Sequence, residues 1–315
     1  MNVVAVTGAG GMIGRHLLEA LRSTAGEVRI LLLPAEPVPD CFENAVVHRG
    51  DLRNPEELRA FIDGADTVFH LAALVGKDAN NAAAAQAVNV EGTRNLVELS
   101  KAHGVRRFVY LSTCCVYGLH GLDDEIVDET ARYAPLDHPY DITKTRAEEL
   151  VAGEDPARLP WSVLQVPVVL GGPHTVTKPN LMAHIRVARS GFVPHTVGDR
   201  SWANYVYAGD VAAALRELGT HPLAVGEAFI CSETMTLNDL FGQIAKELAI
   251  DVRRVPLPGF ALRAAARAQS RLAILANRRR FSSEKLRSRL NFSPKVGLEE
   301  GLRLTISHYR KAGLA

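Results

Sequence analysis

Cysteine is scarce: Cys41, Cys114, Cys115 and Cys231 are the only four in 315 residues. None shows metal-ligand spacing and no disulfide framework is suggested, so no metal centre and no cysteine-stapled secreted scaffold is expected. An excess of one charge sign is also missing. The formal net charge is +1, which gives no electrostatic footprint for nucleic acid or for a membrane surface. No segment approaches the roughly 18–20 consecutive apolar residues that span a bilayer, so no integral membrane contact is expected. The N-terminus enters Val3-Val4-Ala5-Val6 with no basic region and no small-residue cleavage site, the pattern of a soluble cytoplasmic protein. Repeats and low-complexity linkers are absent. What is present is length: enough for a large core and two interlocked lobes.

The first half alternates strand-like and helix-like segments. Val3 to Thr7 is short, β-branched and ended by glycine, the pattern of a buried parallel strand. Met12 to Ser23 carries Ile13, Leu17, Leu18 and Leu21 at helical spacing. Strands are expected at Val28–Leu33, Thr67–Leu71 and Phe108–Ser112. Helices are expected at Pro55–Phe61 (with Asn54 as N-cap), Val88–His103 and Tyr140–Ala152. This alternation implies an α/β fold, a doubly wound parallel sheet with its ligand crevice at the carboxyl ends of the strands. The expected division is a dinucleotide-binding domain over 1–169, returning near 204–212 and 226–232. A smaller, mostly C-terminal substrate lobe takes 170–203 and 233–315.

Two motifs carry chemistry. Gly8, Gly11 and Gly14 lie between the first strand and first helix at G-x-x-G-x-x-G spacing. Gly8 permits the tight turn, Gly11 lets backbone amides approach a pyrophosphate at the helix N-terminus, and Gly14 permits close helix–sheet packing. The second strand ends in Leu31-Leu32-Leu33-Pro34, with no acid to take a ribose 2′-OH and no arginine for a 2′-phosphate; Glu36 comes late. NAD and NADP both stay open as the cofactor. About 130 residues on, Tyr140 and Lys144 stand at i, i+4: a phenol that can move a proton beside a cation that favours the phenolate. Dinucleotide and phenol together point to hydride chemistry on a hydroxyl or ketone.

With Gly50-Asp51-Leu52, His70-Leu71-Ala72-Ala73, Asn89-Val90-Glu91-Gly92-Thr93, Leu111-Ser112-Thr113 and Val116-Tyr117-Gly118 in order between those motifs, the chain resembles the extended short-chain dehydrogenase/reductase superfamily over essentially its whole length. That superfamily includes the NAD-dependent epimerase/dehydratase family. The resemblance implies a Rossmann domain in which Met12 and Ile13 join the glycines at the cofactor. Asp51 and Leu52 lie near the adenine, Leu71, Ala72 and Ala73 run along the cofactor, Asn89 supports the active-site strand, and Pro167 also belongs to the cofactor-binding set. It implies a catalytic set of Thr113, Tyr140 and Lys144, with Lys144 also holding the nicotinamide ribose. It further implies a homodimer through Thr93–His103 and Tyr140–Ala152.

Departures from the sugar-nucleotide members narrow the reading. An Asp-Glu pair that dehydratases carry after the catalytic Thr is replaced by Cys114-Cys115. Gln165 and Val168 stand where Arg and Asn are usual, and Ala203 stands where a diphosphate-gripping Arg is common. The layout from Val255 through an expected helix at Phe260–Ala276 looks more like the 3β-hydroxysteroid dehydrogenase and dihydroflavonol-reductase branches. The expectation is an oxidoreductase for a secondary alcohol or ketone on a small molecule. Two alternatives stay open: a nucleotide-sugar epimerase with retained dinucleotide, in which Cys115 acts as acid/base with Lys178 or His184, and a non-catalytic dinucleotide sensor. The arginines from Arg253 to Arg280, including a stripe of Arg263, Arg267 and Arg271, read as a solvated helix face, an anion site or a membrane-facing surface.

Overall fold

The computed structural model describes residues 1–38, 45–171, 181–198, 200–269 and 272–314. Strand and helix alternate as β1 (Val3–Thr7), α1 (Met12–Leu21), β2 (Glu27–Leu32), β3 (Val46–Arg49), α2 (Pro55–Ile62), β4 (Thr67–His70), α3 (Ala82–Ala85), α4 (Gly92–Ala102) and β5 (Arg107–Thr113). Next come β6 (Glu125–Val127), α5 (Pro139–Ala152), β7 (Trp161–Val166), β8 (Val168–Leu170), α6 (Leu181–Arg189), β9 (Phe192–Val197), β10 (Trp202–Tyr207), α7 (Ala208–Thr220) and β11 (Glu227–Ile230). The remaining elements are β12 (Glu233–Thr236), α8 (Leu237–Leu248), β13 (Arg253–Pro258), α9 (Gly259–Ala268), β14 (Arg279–Phe281), α10 (Glu284–Leu290) and α11 (Leu298–Lys311).

Seven strands form one parallel sheet in the order β11-β7-β5-β4-β1-β2-β3. The inner strands are apolar on both faces because helices cover both faces. One side packs Val4, Val6, Leu17, Leu21 and Leu215 from the sheet, α1 and α7. The other packs Ala5, Phe61, Leu96, Phe108 and Val151 from the sheet, α2, α4 and α5. Strand order reverses between β1 and β4, so a crevice opens at their carboxyl ends. This is the doubly wound architecture expected from the sequence.

The second lobe centres on a three-stranded sheet, β12-β10-β8. Its core gathers Leu181, Tyr205, Phe241, Leu302 and Tyr309 from α6, β10, α8 and α11. Where a return to the large sheet was expected near 204–212, it is α7 that packs on that sheet; β10 pairs within the small one. Two parallel ribbons complete the lobe, β9–β13 and β6–β14. The second of these ties the C-terminal third to the segment that follows β5. No helix among the described residues is long and apolar enough to cross a membrane.

Three elements differ from the sequence reading. The expected helix at Val88–His103 begins earlier, as α3, and passes through a π-helical segment at Gln86–Glu91 before α4. A single wide turn leaves no mark on a 3.6-residue apolar period. The helix expected to reach Ala276 stops at Ala268, where Gln269 turns extended (φ −134°, ψ 102°). Its Ala-rich composition supplies propensity without a stop signal. The second strand runs one residue earlier than expected, Glu27–Leu32.

Candidate functional site

The glycine loop is fixed by close approaches of backbone. Gly8 has φ +70°, and a Cβ there would lie 2.6 Å from the Ala72 nitrogen; at Gly14 it would lie 2.2 Å from the Gly8 carbonyl oxygen. The Gly11 amide donates to that same carbonyl at 3.1 Å. α1 starts without a side-chain cap and without an acidic residue in its first turn. The positive end of its dipole thus faces an anion placed at the helix N-terminus.

These amides border a cleft of about 650 Å³ at the carboxyl ends of β1, β4 and β5. Gly8, Gly11, Met12, Ile13, Gly14, Asp51, Leu52, Leu71, Ala72, Ala73, Tyr140, Lys144 and Pro167 line it, together with Thr113. Asn89 stands behind the lining. It is buried, accepts from the Leu74 amide at 2.6 Å, and donates to the Leu74 carbonyl and to Thr143 Oγ1 at 3.2 and 3.1 Å. It therefore stitches the Ala72–Val75 wall to α5. At the other end, Arg53 pairs with Asp51 at 2.6 Å and holds its carboxyl below the usual range. Glu36, set aside in the sequence as too late, also lines the cleft. The Leu33 amide donates to its Oε2 at 3.2 Å, and its Oε1 is the nearest atom to a Cβ built at Gly10. The turn after β2 folds back to bring it there, and no spacing rule at the strand end reveals such a turn. The residues present fit a dinucleotide: glycines where a Cβ would collide, a helix N-terminus for phosphate, and a carboxylate beyond β2.

Thr113 closes β5 and caps the short 3₁₀ turn Cys114–Tyr117, accepting from the Cys115 amide at 3.2 Å. Tyr140 enters at the first turn of α5, after Pro139 and the N-cap His138, whose Nδ1 accepts from the Tyr140 amide at 3.3 Å. Thr113 lies near enough to the Tyr140 phenol to oppose the rise in its pKa. One turn on, Lys144 Nζ donates to Tyr110 Oη at 2.7 Å and to the Leu111 carbonyl at 2.8 Å. Thr113, Tyr140 and Lys144 are therefore brought together on the cleft wall.

The electrostatics correct one expectation. Lys144 was expected to lower the Tyr140 pKa. Instead burial, followed by Cys115, pushes the phenol up, and Thr113 is what opposes this. Burial also pulls Lys144 down to about 7. Both groups lose water, and two of the ammonium's three donors go to Tyr110 and Leu111 rather than to the phenol.

Cys115 is not part of the cleft lining. Burial and then Asp141 push its thiol up to about 12, the opposite of the thiolate considered from the sequence. Of its suggested partners, Lys178 lies outside the described residues. His184 is buried in the second lobe, against Phe241 and hydrogen-bonded to Tyr205 at 3.2 Å. Arg271 also lies outside the described residues, so the expected stripe is described only at Arg263 and Arg267, on α9. Three other arginines of that stretch are internal ties. Arg278 and Arg280 pair with Asp124 at 3.2 and 3.1 Å, and Arg279 pairs with Glu125 at 2.8 Å. Arg279 also donates to the Tyr117 and Gly118 carbonyls. The acids that neutralise them come from a distant segment, so the local charge run concealed the pairing. Val168 and Ala203 border a cavity of about 20 Å³ with Leu119, Trp202 and Ile274.

Known proteins resemble this chain in sequence and fold. A plant enzyme named 3β-hydroxysteroid-dehydrogenase/decarboxylase isoform 2, from Arabidopsis thaliana, is 28% identical over 96% of this chain. The match covers 61% of that enzyme, so the chain spans about three fifths of its length. The 2-alkyl-3-oxoalkanoate reductase of Stenotrophomonas maltophilia is 30% identical over 76% of this chain and 74% of its own. The solved UDP-glucose 4-epimerase of Thermotoga maritima superposes with a TM-score of 0.76 at 26% identity, covering 99% of both chains. The sequence model for the NAD dependent epimerase/dehydratase family matches residues 4–231, from β1 through the edge strand of the large sheet. The chain belongs to the NAD dependent epimerase/dehydratase family.

Proposed function

We propose that the protein is an NAD(P)-dependent oxidoreductase that moves a hydride between the nicotinamide and a secondary alcohol or ketone carbon of a small molecule. One observation carries this: Tyr140 and Thr113 share a cleft with the glycine loop. The bound dinucleotide supplies the hydride carrier. Tyr140 holds the proton that the substrate oxygen gains or loses, and its burial keeps it protonated and ready to donate. Thr113 Oγ1 is the neutral partner that orients that oxygen. Lys144, anchored by Tyr110 and Leu111, places a positive charge beside the phenol and the ribose. Glu36 favours NAD over NADP, because a carboxylate in the cleft accepts from a ribose hydroxyl and repels a phosphate. Apolar Val168 and Ala203 favour a weakly charged substrate over a nucleoside diphosphate, which needs charge-assisted bonds.

The reading includes a cytoplasmic homodimer paired through α4 and α5, and light scattering at micromolar concentration tests the pairing. The epimerase reading keeps support from the likeness to UDP-glucose 4-epimerase. Native mass spectrometry followed by NAD and NADP titration separates the two. Reversible binding, tighter for NAD, with carbonyl reduction lost at least a hundredfold in Tyr140→Phe, is the expected result. A retained, non-exchanging dinucleotide with no net turnover favours the epimerase instead.

A further inference from the structure

Glu148 is fully buried on α5, one turn beyond Lys144, so Tyr140, Lys144 and Glu148 occupy i, i+4 and i+8 of one helix. Its carboxylate does not line the cleft. It accepts hydrogen bonds from Ser112 Oγ, from Tyr133 Oη at 2.5 Å and from Gln165 Nε2. Tyr117 fixes the sense of the Gln165 amide by donating to its Oε1 at 3.0 Å. Each polar partner of Glu148 is therefore a donor, and converging donors stabilise the anion over the acid.

A buried anion calls for a counter-charge, and Lys144 provides one. Each of the pair favours the charged form of the other, while burial works against both. Strand β5 lies between them: Tyr110 and Leu111 take the ammonium's protons, and Ser112 gives its own to Glu148. The other ionisable groups acting on this network include Tyr110, Cys114, Cys115, Tyr117, Tyr133 and Tyr140, all pushed up by burial and so neutral, and His70, pulled down by burial and then by Lys144 and neutral as well. Beyond them, Glu149 is exposed on α5 and Glu129 is held by the Ile230 amide.

We propose that Glu148 is a positioning residue that acts through Lys144: a constant, fully hydrogen-bonded anion that keeps Lys144 protonated and thereby sets the proton balance at Tyr140. The inference rests on the roles of Tyr140 and Lys144 proposed above. The test is ¹⁵N NMR of the lysine side chains, with Lys144 assigned through Lys144→Arg. In Glu148→Gln the Lys144 titration midpoint should fall by about one pH unit, because a nearby buried negative charge has been removed. Glu148→Asp, which keeps the charge, should stay within about 0.3 unit of the parent. The alkaline limb of the kcat profile in Glu148→Gln should move down by the same amount as the midpoint. Should Glu148→Gln fail to fold, Ser112→Ala with Tyr133→Phe serves instead. It strips donors from the anion, favours its protonation, and should also lower the midpoint. An unchanged Lys144 midpoint overturns the inference even if turnover is seen. A shifted midpoint with no turnover on any alcohol or ketone upholds the coupling and overturns the oxidoreductase reading.

Discussion

Gly14→Ala and Gly242→Ala make the same chemical change inside two helices and should move stability in opposite directions. Alanine is worth about 1 kcal/mol over glycine in a helix interior. At Gly242, in α8, an added Cβ meets nothing within 4 Å. The gain should therefore appear nearly whole, about 0.5–1 kcal/mol, or roughly 1 °C in Tm at this chain length. At Gly14 the same Cβ would lie 2.2 Å from the Gly8 carbonyl oxygen, 2.7 Å from Ala9 Cα and 2.8 Å from Ala9 oxygen. All three are backbone atoms, which cannot swing aside. Favourable contacts lie near 3.5–4 Å, so the loop must retreat by about 1 Å. Overpacking of this kind costs about 1–3 kcal/mol, which offsets the helix gain and leaves a net loss of up to about 2 kcal/mol. The retreat also withdraws the Gly8–Gly11 turn from the phosphates, so NAD affinity should drop at least tenfold, about 1.4 kcal/mol. Scanning calorimetry and NAD titration calorimetry on both variants read these numbers. A Gly14→Ala protein as stable as the parent, with unchanged NAD affinity, would refute the argument that close backbone approach demands glycine there.

Other expectations follow from the same geometry. Burial pulls His70 down to about 3 and His120 to about 4, with Lys144 and Arg279 adding to the respective shifts. From those values up to the ordinary 6.5, the unfolded chain binds more protons, so each histidine removes stability as pH falls below about 6.5. The loss is up to about 1.4 kcal/mol per pH unit per group. Denaturant unfolding of His120→Phe against the parent should therefore show a difference that moves in the variant's favour from pH 7 to 5; a pH-independent difference counts against it. Arg279→Met leaves the Tyr117 and Gly118 carbonyls without their donor and should cost about 2–3 kcal/mol, with faster proteolysis between 118 and 125 and a raised substrate KM. Cys115→Ser should keep full oxidoreductase turnover, since the native thiol stays protonated. A hundredfold loss would restore a chemical role for the sulfur.

The large sheet was legible because its evidence is local. Val3 to Thr7 is an apolar run ended by glycine, and Leu17, Leu18 and Leu21 mark one face of the following helix. The residues that line the cleft were legible for a different reason: their order along the chain matches a family pattern, and the fold brings that order to one crevice. What the sequence hid depends on distant partners. Glu36 reaches the cleft only through the turn after β2. Arg278 to Arg280 looked unpaired because their acids lie at 124 and 125. The electrostatics at Tyr140 went astray because pairwise spacing says that Lys144 is near but not that both groups are desolvated. The π-helical segment around Asn89 left no periodic trace at all.

The pairing of β14 with β6 also orders events in time. Arg279 and Glu125 are separated by 154 positions. During synthesis the glycine loop, Thr113, Tyr140 and Lys144 all leave the ribosome well before the strand that fastens the 118–127 segment beside them. Domains fold as their residues emerge, and long-range pairings wait for the later partner. A nascent chain released to about residue 240 already holds every strand of the large sheet. It lacks Arg279, the partner of Glu125 and of the Tyr117 and Gly118 carbonyls. The large sheet is thus complete in sequence before the strand that fastens the 118–127 segment has been made.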